Sequence, residues 1–141
     1  MKQTKTIFLI SKIREKANKF ILADLAQHGI TNLAPSHGDI LACLYQRERV
    51  TMKEIADAIR RTKPTVTVLV NKLAELGLVQ KLQAAEDSRV VYVELTEQGK
   101  ALQKLFEKIS ADLVQKVFQN MEQEEMKKLE ISLQKILDNL G

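Results

Sequence analysis

Cysteine is nearly absent from this chain: Cys43 is the sole one among 141 residues. One thiol cannot form an internal disulfide, so the fold must rest on its core, and such usage suits a reducing compartment, the cytoplasm. Tryptophan is missing and aromatics amount to 4%, so the core must be mainly aliphatic. Two prolines and five glycines are few interruptions, which favours long helices over many short strands. No apolar run approaches the ~18 residues a membrane span needs. Ile7 to Ile10 is too short for a signal-peptide core, and Lys12 and Arg14 follow at once. No nucleophile–base grouping, Gly-rich phosphate loop or dense carboxylate pair occurs, so neither an enzyme nor a cofactor is expected.

The length is that of one domain and is enough to bury a core without staples. The net charge is +4 with a pI near 9.2, and its distribution is uneven. Residues 1–30 carry six basic and two acidic side chains, 47–89 nine and six, and 94–141 seven and nine. The positive excess lies in the first two-thirds, as expected of a chain that meets an anionic polymer.

Apolar residues at Ile10, Ile13, Ala17, Ile21 and Leu25 predict a helix from about Lys5 to His28, ended by Gly29. Ser36 is expected to open a second helix, with Asp39 in its first turn and Ile40, Leu41, Leu44 and Tyr45 buried. The sharpest start signal is Thr51-Met52-Lys53-Glu54, a T-x-x-E capping box, with Val50 and Ile55 at the positions of a hydrophobic staple. After a turn at Arg60-Arg61, Thr62 caps another helix with Pro64 in its first turn. Val66, Leu69, Val70 and Leu73 form its apolar stripe and Gly77 its end. A short helix, a tight turn and a longer helix with a polar face make a helix-turn-helix pattern. Leu78–Gln83 and Val90–Leu95 then read as strands around the polar stretch 84–89, a hairpin where a wing would sit. From Thr96 a helix with Leu102, Leu105, Ile109, Leu113 and Val117 on one face is expected. A fresh helix follows Asn120 and Glu122, with a heptad-like seam of Met126, Leu129, Leu133, Ile136 and Leu140.

Residues 50–99 resemble the multiple antibiotic resistance regulator (MarR) family. The residues that carry the resemblance are Thr51 to Ala56, Thr65-Val66-Thr67, Leu73 to Val79, Asp87-Ser88-Arg89 and Leu95-Thr96-Glu97-Gln98-Gly99. The last two segments look like the family's D-x-R…L-T-x-x-G signature, and the order and spacing of all five make the likeness specific. The resemblance implies a homodimer of winged-helix domains whose N- and C-terminal helices interlock. It further implies a wing in which Asp87 supports Arg89 on its way to the DNA minor groove. DNA affinity in many members falls on binding small phenolic or lipophilic compounds, and some sense oxidants or metals. The chain departs from the family at Val68, where many relatives place Arg. It departs again at Gln80, Leu82 and Gln83, which leave Lys81 as the first wing strand's only cation.

The expected fold class is mainly α: a winged helix-turn-helix (35–95) with dimerisation helices (1–34 and 96–141) and a two- to three-stranded wing. The expected function is sequence-specific regulation of transcription, as a repressor released by a small aromatic or lipophilic effector. The partners are double-stranded DNA with a roughly palindromic operator and a second copy of the chain; no membrane is involved. Expected DNA contacts are Arg61, Thr62, Lys63, Thr65, Thr67, Asn71, Lys72, Lys81, Ser88 and Arg89, with Asp87 as wing support. The effector cleft is expected among the first helix, the second, and the one that follows Thr96. Two other readings compete. A thiol- or metal-responsive regulator would use Cys43, or His28 and His37 with Asp24 and Asp39, although a Cys between Ile40 and Leu44 suits a small buried hydrophobe. A winged-helix protein-interaction module would use the scaffold without DNA, against which the basic turn and the Thr-rich helix face argue.

Overall fold

A computed structural model describes residues 3–141. Seven helices and three short strands follow in the order α1 (Thr6–Gln27), α2 (Pro35–Gln46), β1 (Val50–Thr51), α3 (Met52–Ile59), α4 (Lys63–Glu75), β2 (Val79–Gln83), β3 (Val91–Leu95), α5 (Glu97–Ala101), α6 (Gln103–Val117) and α7 (Gln123–Asn139). The strands form one antiparallel sheet ordered β1-β3-β2. The β2–β3 register runs from Val79 opposite Leu95 to Gln83 opposite Val91, and Val50 pairs with Val93. The architecture is the expected one, mainly helical with a small wing.

Local chemistry fixes the central elements. At α3 both halves of the capping box are present: the Glu54 N–H donates to the Thr51 hydroxyl, and the Thr51 N–H to the Glu54 carboxylate, each at 3.0 Å. Those hydrogen bonds, and then Arg47, hold the Glu54 carboxyl down at about 2. Arg60 closes α3 in the left-handed region (φ 55°), a conformation costly for a residue with a Cβ. The Thr65 N–H donates to Thr62 at the start of α4, and Pro64 sits in its first turn. Gly77 (φ 77°) ends it, with the Leu78 N–H returning to the Leu73 carbonyl.

Two expectations needed correction, and one became definite. Helix α2 begins at Pro35, so Ser36 does not open it. The preceding residue, Ala34, has no side-chain acceptor, and its N–H donates instead to Nδ1 of His37 at 2.9 Å. The third strand that a two- to three-stranded wing allows is Val50–Thr51, a segment read locally only as the entry to a helix. The helix after Thr96 is not continuous: α5 stops at Ala101 and the chain turns at Leu102 before α6. Gly99 lies in that short helix against β2's approach. A Cβ there would stand 2.1 Å from the Leu78 carbonyl oxygen, so only glycine fits.

The core is central in sequence as well as in space. Leu33, Ile40, Leu41, Leu44, Val50, Ile55, Val66, Val70, Leu73, Leu78, Val79 and Val93 form one buried cluster, edged by Tyr45, Leu102 and Phe106. In contrast, α1 buries only Leu25, α6 only Ile109 and α7 nothing. No helix among the described residues is long and apolar enough to cross a membrane.

Candidate nucleic-acid interface

Helix α4 is seated by its apolar stripe. Val66, Val70 and Leu73 are buried against α2 and α3, which turns Pro64, Thr65, Val68, Asn71 and Lys72 to solvent. The threonine hydroxyls are partly occupied: Thr62 and Thr65 share a hydrogen bond of 2.9 Å, and Thr67 donates to the Lys63 carbonyl at 3.0 Å. Arg61, in the turn before α4, reaches back to the Ser36 hydroxyl at 3.3 Å.

The wing carries its own buttress. Asp87 accepts the Arg89 backbone N–H at 3.0 Å, Nε at 3.2 Å and Nη2 at 3.3 Å. The Arg89 hydrogen bonds, from side chain first and then backbone, hold the Asp87 carboxyl below its usual range. The Arg89 side chain nevertheless stays 90% exposed, so the pair orients a guanidinium at the wing tip without burying it. Across the loop, Gln83 donates to the Ser88 carbonyl at 2.7 Å.

Between α4 and the wing lies a groove of about 640 Å³. It brings together Lys63, Thr67, Lys81 and Arg89 from the expected set, with Thr51, Lys53 and Gln83 beside them. Thr62, Thr65, Asn71, Lys72 and Ser88 are not among its lining residues. Sequence reasoning missed Lys53; its signal was a cation two positions after the α3 cap, lining the same groove as the wing. It also missed a tie between two residues it had named separately: Lys81 on β2 donates to the Asn71 amide oxygen on α4 at 2.6 Å. That bond fixes the wing's first strand to the last turns of α4.

Residues raised for the competing readings sit apart. Burial first, and then Asp39, push the Cys43 thiol up, away from the thiolate form that reacts. His28 is exposed, with Nδ1 at 2.9 Å from the Asp24 carbonyl, while His37 is buried at the α2 cap. No cluster of three or more His, Cys, Asp or Glu suited to a metal occurs among the described residues. A second groove, of about 630 Å³, lies among α1, α6 and the start of α7. Ile13, Phe20, Leu113, Val117, Phe118 and Leu129 line it together with Lys16, Lys19 and Lys116. It draws on two of the helices expected to form an effector cleft, but nothing from α2 lines it.

Known proteins share this architecture. The sequence profile of the MarR family matches residues 33–91. MepR of S. aureus, in its complex with DNA, superimposes with a TM-score of 0.88 over 98% of this chain and 99% of that one, at 26% identity. A mutant MarR from E. coli complexed with operator DNA gives 0.82 over 97% and 99%, at 22% identity. The uncharacterized HTH-type transcriptional regulator YhjH of Bacillus subtilis (strain 168) is 30% identical over 80 residues, 56% of this chain and 46% of that protein. The chain thus aligns with about half the length of that curated relative. With the profile across the winged centre and a full-length structural match, the chain is similar to MarR-family regulators in both sequence and fold.

Proposed function

We propose that the protein is a homodimeric transcriptional repressor in the cytoplasm, without enzymatic activity, that binds a roughly palindromic operator and is released from it by a small aromatic or lipophilic effector. The observation that carries this is the pairing of two projections on one side of the fold. One is the solvent-facing side of α4. The other is the Asp87-braced Arg89, with the basic groove of Lys53, Lys63 and Lys81 between them. A helix of this width fits the major groove, and an arginine on a thin hairpin fits the narrow, strongly negative minor groove. Arg61, Thr62, Lys63, Lys72, Lys81 and Ser88 would then hold phosphates, while Thr65, Thr67 and Asn71 stand closest to base edges.

Dimerisation is supported by apolar surface that one copy leaves uncovered. Ile7, Phe8, Leu9 and Ile13 on α1, Val114 and Val117 on α6, and Leu129, Ile131, Leu133 and Leu137 on α7 are all exposed. A soluble monomer seldom leaves that much contiguous apolar area in water. The groove among α1, α6 and α7 is of small-molecule size; an effector there acts only by favouring one arrangement of the two copies over another. Binding of the full chain to the DNA upstream of its own coding region, read by footprinting, tests the proposal. Two protected half-sites about one helical turn apart are expected. No protection of that DNA at low salt, or of any site in a random library, would refute it.

A further inference from the structure

We infer that Val68 reads the C5 methyl group of thymine in the major groove, an inference that rests on the DNA-binding reading above. Val68 stands two positions after buried Val66 and two before buried Val70. At about 100° per residue it points roughly 160° away from each, along the outward axis of α4. It is 68% exposed. Every other large apolar side chain so exposed among the described residues lies on α1, α6, α7 or the cap of α7, the helices proposed above to pair two copies. Val68 is on the winged centre, where pairing gives it no cover.

The chemistry of its neighbours narrows what it meets. The Thr67 hydroxyl proton goes to the Lys63 carbonyl, and the Thr62 and Thr65 hydroxyls bond each other. Pro64, one turn before Val68, is exposed and offers no donor at all. Lys63 and Lys72 flank this strip as point charges suited to phosphates. Pro64 and Val68 therefore form a short apolar strip on the outward face of α4, with Thr65 and Asn71 about 60° to either side and Lys72 one turn on. In the major groove the C5 methyl of thymine is the one apolar group a base pair presents, and the rest of each edge is donors and acceptors. A valine on this strip gains by covering that methyl and gains nothing from a cytosine at the same place. The absence of Arg at this position thus changes what is read rather than merely weakening the grip.

The test uses the full chain and a randomised duplex library to define the preferred half-site. Each thymine of that half-site is then replaced singly by deoxyuridine, which removes only the methyl group. One position per half-site is expected to lose about fourfold in affinity, the factor that burial of one methyl supplies, and roughly tenfold or more when both half-sites are changed. In Val68→Ala, a change an exposed helix position tolerates, that penalty should shrink at the same position and stay unchanged elsewhere. Replacing the thymine by 5-methylcytosine, paired with guanine, should retain more affinity than plain cytosine. A half-site in which no deoxyuridine substitution matters, or in which the penalty is equal in the parent and Val68→Ala, overturns the inference while DNA binding stands. Failure to enrich any duplex overturns the DNA-binding reading and this inference with it.

Discussion

The winged centre and the helices that flank it solve different problems with the same kind of residue. From Leu33 to Val93 the aliphatic side chains meet one another, and eight or more of them are nearly inaccessible to water. On α1, α6 and α7 side chains of the same chemistry are regularly spaced, yet they remain in solvent: Leu133 is as regular in sequence as Leu73, but only Leu73 is buried. Periodicity reports that a helix has an apolar face. It does not say whether the complement is in the same chain. The centre is closed by its own contacts, and the flanks leave their apolar faces in solvent, as the proposed pairing of two copies requires.

The largest expected effect breaks the flanks alone. Leu133→Asp places a carboxylate on the open face of α7 in both copies. It should weaken self-association by about 4 kcal/mol or more, since an unpaired charge would be driven into an apolar interface. Sedimentation at micromolar concentration should show a monomer with an unaltered circular dichroism spectrum; a dimer as tight as the parent would place the interface elsewhere. Next, Ile55→Ala strikes the centre, where the side chain is wholly buried. A loss of about 3 kcal/mol in unfolding free energy is expected, against less than about 1 kcal/mol for Glu75→Ala at the exposed end of α4. Denaturant titration of both variants checks the contrast.

Smaller effects sharpen the comparison within the centre, whose outer surface is the part proposed to meet DNA. Arg89→Ala should leave assembly untouched, weaken binding roughly tenfold on all operators, and flatten the salt dependence by about one unit of slope per lost phosphate contact in each subunit. Asn71→Ala and Lys81→Ala share one hydrogen bond. Each should weaken binding by about two- to fivefold, and the double variant by less than the product. Full independence would show that the bond does not couple the two residues in binding, and a changed base preference for Asn71→Ala would support its place near base edges.

The smallest effect concerns acid. Burial, and then Lys72, lower the His37 pKa below 6.5, so the folded state binds that proton less readily than the unfolded chain. Stability should be full above about pH 6.5 and decline as the pH falls below it, because a protonated Nδ1 cannot accept the Ala34 N–H. His37→Asn, which keeps an acceptor but does not titrate, should remove this step. A second loss, below pH 4.5, belongs to Glu54 as it approaches its folded value of about 2. Unfolding curves from pH 8 to about pH 2 should separate the two.

What could be read in the sequence was local chemistry. The Thr51–Glu54 box, the Thr62 cap with Pro64 and the Gly77 stop depend on near neighbours in sequence, and each is found where the spacing predicts it; the Asp87–Arg89 contact was implied by the resemblance rather than by spacing. What escaped depends on the third dimension. Two-residue β1 has no period to detect, and its partner lies over forty positions downstream at Val93. The start of α2 was misplaced because the acceptor at its first turn is an imidazole, not a hydroxyl or carboxylate. The Lys81–Asn71 bond joins a strand to a helix, and no spacing rule foretells it. Val68 was legible as a departure, but its meaning needed the buried stripe that points it outward.

The close approach at Gly99 also has a mechanical side. The backbone of α5 lies flush against Leu78, Tyr45 donates to the Gly99 carbonyl at 3.2 Å, and the Thr96 hydroxyl holds the Gly77 carbonyl. The joint between the wing's root and α5 is thus a weld rather than a hinge, and Leu102 and Phe106 pack the start of α6 on the same core. Helix α6 spans fifteen residues, about 22 Å, and behaves as a lever fixed to the body that carries α4. A tilt of about 5° between two paired copies becomes a displacement of about 2 Å along that arm. In the proposed dimer, rearrangement where the copies meet would reach α4 as rigid motion, and Gly99→Ala, by prying the weld apart, would uncouple the arm from the head it steers.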